Sequence, residues 1–317
     1  MTRLAEAARP APQPAPAPRR RRKSPQGSRW TPYFFIAPAA VYLLVFQGIP
    51  LLQEMRLSFT ETSLLAPNKN VWVGFDNFTE LFAESEFNRT LLTTFIYVVA
   101  CVFFSITVGM GAALLLNANF RGRGIARSLI MIPWAAPSVA VALVTTWMLN
   151  AQYGIINRAL GSVGLGIPDG AWLDSQAYAM PAILATTIWA LFPFTSVVLL
   201  AALQSVPEEV KEAAIMDGAG KLWVFRVVIW PTIKPTVAVL MVLMTIWSIR
   251  RFELIWLMTQ GGPVKATNTL VIDLYSRAFQ QNDIGKAAAV GMVGIVISLL
   301  IVGVYAYVAR RAEQEAA

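Results

Sequence analysis

The sequence LLTTFIYVVACVFFSITVGMGAALLLN, residues 91–117, contains no charged side chain in 27 consecutive positions. A helix of roughly 20 apolar residues is long enough to cross the ~30 Å hydrocarbon core of a bilayer. Lipid offers no hydrogen-bond partner to a bare backbone amide, so a spanning segment must satisfy its amides internally, as a helix does. The stretch therefore predicts a membrane-spanning helix.

Five further apolar stretches lie on either side of this one, and each is close to or above the length that a span requires. Only 14% of the chain is charged and 56% is hydrophobic, whereas a soluble domain carries about 25% charged residues. We therefore predict an all-α integral membrane protein with six transmembrane helices. The other five stretches are 33–57, 129–149, 178–203, 233–258 and 288–309.

Residues 1–29 form a separate segment that is rich in Pro and Ala and carries eight basic residues against Glu6 alone. Proline at this density opposes both a helix and a packed core, so we predict a disordered tail before a six-helix domain at 30–317. A basic tail beside a membrane span indicates topology rather than nucleic-acid binding.

The loops between the predicted spans alternate in charge. The loops after spans two and four hold clusters of Lys and Arg, whereas the loops after spans one and three hold acidic residues. Because cytoplasmic loops are rich in Lys and Arg, both termini are predicted to be cytoplasmic. The basic residues are Arg121, Arg123, Arg127, Lys211, Lys221, Arg226 and Lys234, with Arg310 and Arg311 at the C-terminus, and the acidic ones are Glu61, Asp76, Glu80, Glu84, Glu86, Asp169 and Asp174.

The sequence lacks the residues that several classes of function require. There is no histidine, Cys101 is the one cysteine, and no GxxxxGK[ST] phosphate loop occurs, so we predict no metal site and no catalytic residue. A membrane-embedded enzyme is an alternative, but the outer-loop carboxylates are scattered. A secondary transporter is another, but Glu54 and Glu253 lie near span ends rather than at mid-span, where ion coupling usually places a carboxylate.

The loop SVPEEVKEAAIMDGAGKLWVFRVVIWPTIKP, residues 205–235, has the pattern of a short helix. Ser205 and Glu208 fit a capping box, and Pro207 suits a first turn. The helix is predicted to run to about Asp217 and to end at Gly218, with a second short helix reaching Pro231. Physical reasoning leaves open a docking surface for another protein or a connector lying on the membrane.

Within this loop, EAAIMDGA resembles the EAA loop of permease subunits in binding-protein-dependent ABC importers. That family's pattern is Glu-Ala-Ala-x-x-x-Gly followed by a hydrophobic-x-Leu-Pro ending, with Trp230 here in place of Leu. Three other segments resemble the carbohydrate (maltose-type) branch, and together the matches cover most of 33–309. The segments are GFDNFTELF (74–82), RGRGIARSLIMIPW (121–134) and FELIWLMTQGGP (252–263); the matching EAA positions are Glu212, Ala213, Ala214, Gly218, Val228 and Pro231.

The resemblance implies the type I ABC importer permease architecture in a bacterial inner membrane. It implies a second permease subunit, two ATPase subunits that bind ATP and Mg²⁺, and an extracytoplasmic solute-binding protein as partners, with no cofactor on this chain. It also implies that the EAA helix docks on an ATPase subunit, with Glu212 as the charge at the contact. The coupling residues are then Glu212, Ala213, Ala214, Asp217 and Gly218.

The predicted substrate path lies on spans four and five, which line the sugar site in related permeases. Arg250, Arg251 and Glu253 are charges near the outer end of span five, where they either snorkel, with Arg250 and Glu253 pairing at i, i+3, or face a cavity. Aromatic side chains stack on sugar rings and hydroxyls bind them. A neutral sugar or oligosaccharide is expected from the family, with an anionic glycerophosphodiester as the alternative. The other candidates are Thr187, Trp189, Phe194, Trp247 and Ser248.

Overall fold

A computed structural model describes residues 31–164, 167 and 170–315. The predicted tail, residues 1–29, lies outside the described residues. Within the described part the chain is helical apart from one hairpin of antiparallel strands, β1 (Thr60–Ser63) and β2 (Ala66–Trp72). The helices are α1 (Thr31–Leu43), α2 (Ile49–Leu57), α3 (Asp76–Ala83), α4 (Ser85–Asn117), α5 (Arg123–Ile130), α6 (Ile132–Ala135), α7 (Ser138–Met148), α8 (Ile155–Ser162), α9 (Ala179–Gln204), α10 (Glu208–Met216), α11 (Lys221–Val224), α12 (Trp230–Ile249), α13 (Glu253–Thr259), α14 (Leu270–Tyr275) and α15 (Ile284–Glu315).

Five single helical runs are long and apolar enough to cross a membrane, and a bent helix pair supplies the sixth span. The six-span prediction is confirmed. The first run is a unit of its own as far as Leu51, and its apolar side chains are exposed along its length, as a lipid-facing helix requires. The runs are Tyr33–Leu57, Ser85–Asn117, Ala179–Gln204, Lys221–Ile249 and Ile284–Tyr305.

The third span differs from the straight helix predicted for 129–149. Its two halves, Arg123–Ala135 and Ser138–Met148, meet at an angle of 90°. Pro137 precedes α7 with extended backbone (φ −58°, ψ 133°), and proline has no amide hydrogen with which to continue a helix. The bend at Ala136 and Pro137 therefore divides the third span into two helices.

The core of the bundle is the pair α4 and α9, which pack along most of their length. Gly109 allows the closest approach, because a side chain at this position would collide with Thr195 of α9. The Thr195 hydroxyl donates a hydrogen bond of 2.8 Å to the Ser105 carbonyl across the same contact. Small residues and interhelical hydroxyl bonds are the usual means of joining helices in lipid, where apolar burial between helices adds little.

One end of the bundle, called the hairpin end, carries β1, β2, α3, α14 and the first turns of α4 and α15. The strands were not predicted from the sequence. Asn77 of α3 donates hydrogen bonds of 3.0 Å to the Ser58 and Thr60 carbonyls, which ties the hairpin to α3. Arg277 forms ion pairs with Glu84 (2.5 Å) and Asp273 (2.8 Å), and its side chain is 5% exposed.

The opposite end, called the α10 end, carries the loop between α4 and α5 and the segment from α10 to α11. Apolar side chains hold it together: Leu203 and Val206, beside α10, pack with Ala113 and Leu116 of α4 and with Ile233 of α12. The loops that were predicted to share a side of the membrane therefore group together at one end of the bundle.

Candidate functional site

Helix α10 starts directly after Pro207, whose backbone is extended (φ −58°, ψ 133°). Glu208 and Glu209 occupy its first turn, where negative charge complements the helix dipole. The predicted capping box is wrong, because the helix starts two residues later than that motif requires and no side chain caps it. The Ser205 hydroxyl instead donates a 2.8 Å hydrogen bond to the Ala202 carbonyl at the end of α9.

The helix ends at Gly218, as predicted. The Ala219 amide donates to the Ala214 carbonyl at 3.0 Å and the Gly218 amide donates to the Ile215 carbonyl at 2.9 Å, which together form a Schellman motif. Gly218 has φ +85°, in the left-handed region that a residue with a Cβ enters only at an energetic cost. The glycine therefore sets the direction in which the chain leaves α10.

The outer surface of α10 combines apolar side chains with acidic residues that form no ion pair with any described residue. Glu212 and Ala213 are exposed, Met216 is 87% exposed, and Asp217 is the exposed C-cap residue. Ala214 is buried against the bundle. The smooth side predicted for Ala213 and Ala214 therefore consists of Ala213 alone, because neighbouring positions on a helix point about 100° apart.

The second short helix does not end at Pro231. Helix α11 continues through a π-helical segment, Phe225–Ile229, directly into α12. Pro231 lies where the π-helical segment joins α12; its missing amide leaves one helical hydrogen bond unmade, and the run continues past it. The whole run from Lys221 to Ile249 therefore leads from the α10 loop into the membrane part of the bundle.

A cavity of about 390 Å³ opens where this run stops. Helix α12 ends at Ile249, Arg250 is its C-cap residue, and α13 starts at Glu253. A second cavity of about 300 Å³ shares Trp247 and Arg251 with the first and reaches the bend of the third span. The lining residues that matter most are Trp134, Ser138, Trp247, Arg250, Arg251, Phe252 and Glu253.

These cavities lie near the middle of the helical bundle and not at an outer end of span five, which corrects that prediction. Ile249 and Leu254, on either side of Arg251, pack with Tyr97 and Cys101 near the midpoint of α4. Arg251 also shares its cavity with Leu191, near the midpoint of α9. The reason is that span five breaks at residue 250, so the charges lie at the end of a helix that stops inside the bundle.

The charges in the cavity are only partly neutralised. Glu253 accepts a hydrogen bond from the Ser138 hydroxyl. The i, i+3 pair of Arg250 and Glu253 does not form, because the two residues are not on one helix. Among the described residues, no carboxylate lies within 4.0 Å of a guanidinium nitrogen of Arg250 or Arg251, and Arg251 Nε is buried without a partner.

Aromatic rings stand beside these charges. Phe194 stacks on Trp134 at a centroid distance of 5.6 Å and contacts Trp247 at 5.1 Å. The predicted candidates Phe194, Trp247 and the three charged residues therefore do come together. Trp134, Ser138 and Phe252 were missed, although Pro133 and Pro137 marked the place where a span was most easily broken.

Three predicted path residues lie elsewhere. Thr187 is fully buried, with its hydroxyl 3.0 Å from that of Tyr97, and Ser248 is buried between helices. Trp189 lines a separate apolar cavity of about 770 Å³ beside α7 and α8. These positions face neighbouring helices or apolar space, because successive residues of a helix, here α9 for Thr187 and Trp189 and α12 for Ser248, point to different sides.

The family model for "Binding-protein-dependent transport system inner membrane component" matches residues 105–314. A probable ABC transporter permease protein of Brucella suis is 35% identical over 90% of this chain and 99% of that protein. The trehalose/maltose transport system permease protein of Thermococcus litoralis is 31% identical over 88% of this chain and 93% of that protein.

Among solved structures, the chain resembles a subunit of a bacterial ABC transporter involved in the import of the acidic polysaccharide alginate. The TM-score is 0.77 at 25% identity, covering 89% of this chain and 96% of that one. The helical bundle is thus a fold seen among importer subunits.

Proposed function

This chain belongs to the family of binding-protein-dependent transport system inner membrane components, and on that premise we propose that it forms half of the path for a sugar or oligosaccharide. It is an ABC importer permease of the carbohydrate-transport type, a membrane subunit rather than an enzyme. The partners we propose are a second permease, two ATPase subunits that bind ATP and Mg²⁺, and an extracytoplasmic solute-binding protein. The termini and the α10 end then lie in the cytoplasm.

The observation that carries the proposal is the helical run from Lys221 to Ile249. It starts at the loop that bears α10 and stops at the cavity that holds Arg250 and Arg251. With a rise of 1.5 Å per residue it is about 43 Å long. A displacement of α10 by a partner is thereby passed to the cavity wall along one continuous helical run.

The surface of α10 suits a cleft in a cytoplasmic ATPase subunit. Met216 and Ala213 supply exposed apolar area, and Glu212 supplies a charge for a basic group of the partner. On the side that faces the bundle, the buried side chains of Val206 and Ala214 hold the helix in place. The alternative of a helix that merely lies on the membrane leaves Glu212 without a role.

The cavity suits a saccharide, because aromatic rings and hydrogen-bonding groups line it together. Trp247 and Phe252 offer ring faces in the larger cavity and Trp134 offers one in the adjoining cavity, while Arg250 and Arg251 offer donors. An anionic solute of the glycerol-phosphate type is the second candidate, and the unpaired arginines are the observation that favours it.

The secondary-transporter alternative needs to be weighed again. It was disfavoured because no carboxylate appeared at mid-span, yet Glu253 lies beside a cavity near the middle of the bundle. The absence of a mid-span carboxylate therefore no longer separates the two mechanisms. Membership of a binding-protein-dependent family supports the ATP-driven mechanism that we propose.

The test is uptake by the complete transporter in proteoliposomes, with its binding protein outside and ATP inside. We expect Glu212→Ala to abolish most ATP-driven uptake and to lower the recovery of the ATPase subunit in detergent pull-downs. Glu61→Ala, the same change on an exposed residue at the hairpin end, is the matched control and should leave the pull-down unchanged. Uptake without ATP, or full uptake with Glu212→Ala, would contradict the proposal.

A further inference from the structure

The guanidinium of Arg251 occupies an unusual electrostatic position. It lies at mid-bundle, its Nε atom is buried, and among the described residues it has no hydrogen-bond acceptor and no carboxylate partner. An unpaired charge inside a membrane-embedded bundle is unfavourable, and ionisable residues at such positions usually mark a ligand or ion pathway. Such a charge is retained most readily where a ligand completes its pairing.

The surrounding charge does not complete that pairing. Glu253 is the one acid that lines the 390 Å³ cavity, and its carboxylate is already bound by the Ser138 hydroxyl. Two arginines and one glutamate leave the cavity with an excess of one positive charge. A neutral saccharide would leave this excess in place.

The chemistry of the group defines what would fit. A guanidinium binds a carboxylate, phosphate or sulfonate through two parallel hydrogen bonds, and such charged bonds are about twice as strong as neutral ones. Trp247 and Phe252 stand beside Arg251 in the same cavity and provide ring faces. The cavity therefore combines a guanidinium group that can bind an anion with aromatic side chains that line the space beside it.

We propose that the substrate is a saccharide that carries an acidic group, and that Arg251 is the residue that selects for the acidic group. This inference rests on the proposed function as a saccharide permease and narrows the class of saccharide. Arg250 is exposed at the edge of the same cavity and contributes attraction rather than direct pairing.

The test uses the complete transporter in proteoliposomes with three probes: trigalacturonate, maltotriose and glycerophosphocholine. We expect the wild type to take up trigalacturonate. Arg251→Gln should lower kcat/KM for that probe about 10- to 100-fold, the range for one lost charge-assisted pair. Arg251→Lys keeps the positive charge but cannot form two parallel hydrogen bonds, and its kcat/KM should lie between those of the wild type and Arg251→Gln.

Arg158→Gln removes an exposed arginine on α8, outside the cavity, and should leave uptake unchanged. Recovery of the ATPase subunit with each variant confirms that the complex is intact. Uptake of glycerophosphocholine instead, with the same loss in Arg251→Gln, would support the pairing role of Arg251 and overturn the proposal that the substrate is a saccharide.

Uptake of maltotriose alone overturns this inference while leaving the proposed function standing. Uptake of trigalacturonate that is insensitive to Arg251→Gln overturns the role of Arg251. A wild type that takes up none of the three probes, although ATP is hydrolysed, counts against the proposed saccharide permease itself.

Discussion

The two ends of this molecule are held together by different forces. Of the five ion pairs among the described residues, four lie at the hairpin end, whereas the fifth, Lys211–Glu208, lies within α10 itself. The α10 end is joined to the bundle by apolar side chains such as Leu203, Val206 and Ile233. The difference indicates that ion pairs stabilise the hairpin end, whereas the polar side chains of the α10 end remain available to bind a partner.

The largest effect is expected from Arg277→Met at the hairpin end. The change leaves Asp273, whose side chain is 3% exposed, without its ion-pair partner, and losing one member of a buried pair is destabilising by about 3–5 kcal/mol. Lys286→Met breaks a more exposed pair with Glu80 and should be destabilising by under about 1 kcal/mol. Thermal unfolding in detergent compares the two. Equal losses of stability in the two variants would show that the buried ion-pair network does not stabilise the hairpin end more than an exposed pair does.

The next effect concerns the close contact between α4 and α9, which continues into the packing of the α10 end. Gly109→Val places methyl groups against Thr195 and should be destabilising by about 1–3 kcal/mol through overpacking. Gly111→Val, two residues along the same helix, meets no atom within 4 Å and should change the unfolding temperature little. A similar loss in both variants would place the cause in helix propensity rather than in packing.

A smaller effect is expected at the C-terminus of α10. Gly218→Ala forces a Cβ into a backbone with φ +85° but meets no neighbouring atom, so the loss should be about 1–2 kcal/mol of local strain. Gly220→Ala, which has ordinary φ and equally open surroundings, is its control. Hydrogen exchange of the α10 amides measures the difference. Unchanged exchange in Gly218→Ala would show that the Schellman motif does not hold the helix end.

The smallest effect is a pH dependence at the hairpin end. The hydrogen bond from Arg277 holds the pKa of the Glu84 carboxyl below its usual value. A carboxyl with a lowered folded-state pKa contributes stability above its unfolded pKa, ~4.5, and that stability is lost as pH falls through the folded value. The unfolding temperature should therefore fall more steeply with acid in the wild type than in Glu84→Gln. Parallel curves of unfolding temperature against pH in the two proteins would show that Glu84 does not contribute to the acid sensitivity.

Sequence reasoning found the features that depend on composition and local pattern. The spans follow from long apolar runs, the end of α10 follows from Gly218, and Phe194, Trp247 and Arg251 were correctly grouped by their spans. The break of span five at Arg250 and the bend at Pro137 depend on tertiary packing, which decides whether a helix tolerates an interruption. For the same reason the hairpin strands, Trp134 and Ser138 were missed, and Ser205 was assigned a cap that the chain does not use.

The central claim is that α10, and not the hairpin end, is where a cytoplasmic ATPase acts on this chain. The most direct measurement places a photoreactive amino acid at Met216, 87% exposed on α10, or at Leu65, 81% exposed in the hairpin, and identifies the cross-linked partner in intact cells. We predict an adduct with the ATPase subunit from Met216 and none from Leu65. An ATPase adduct from Leu65, or from neither position in a transporter that is active, would contradict the account.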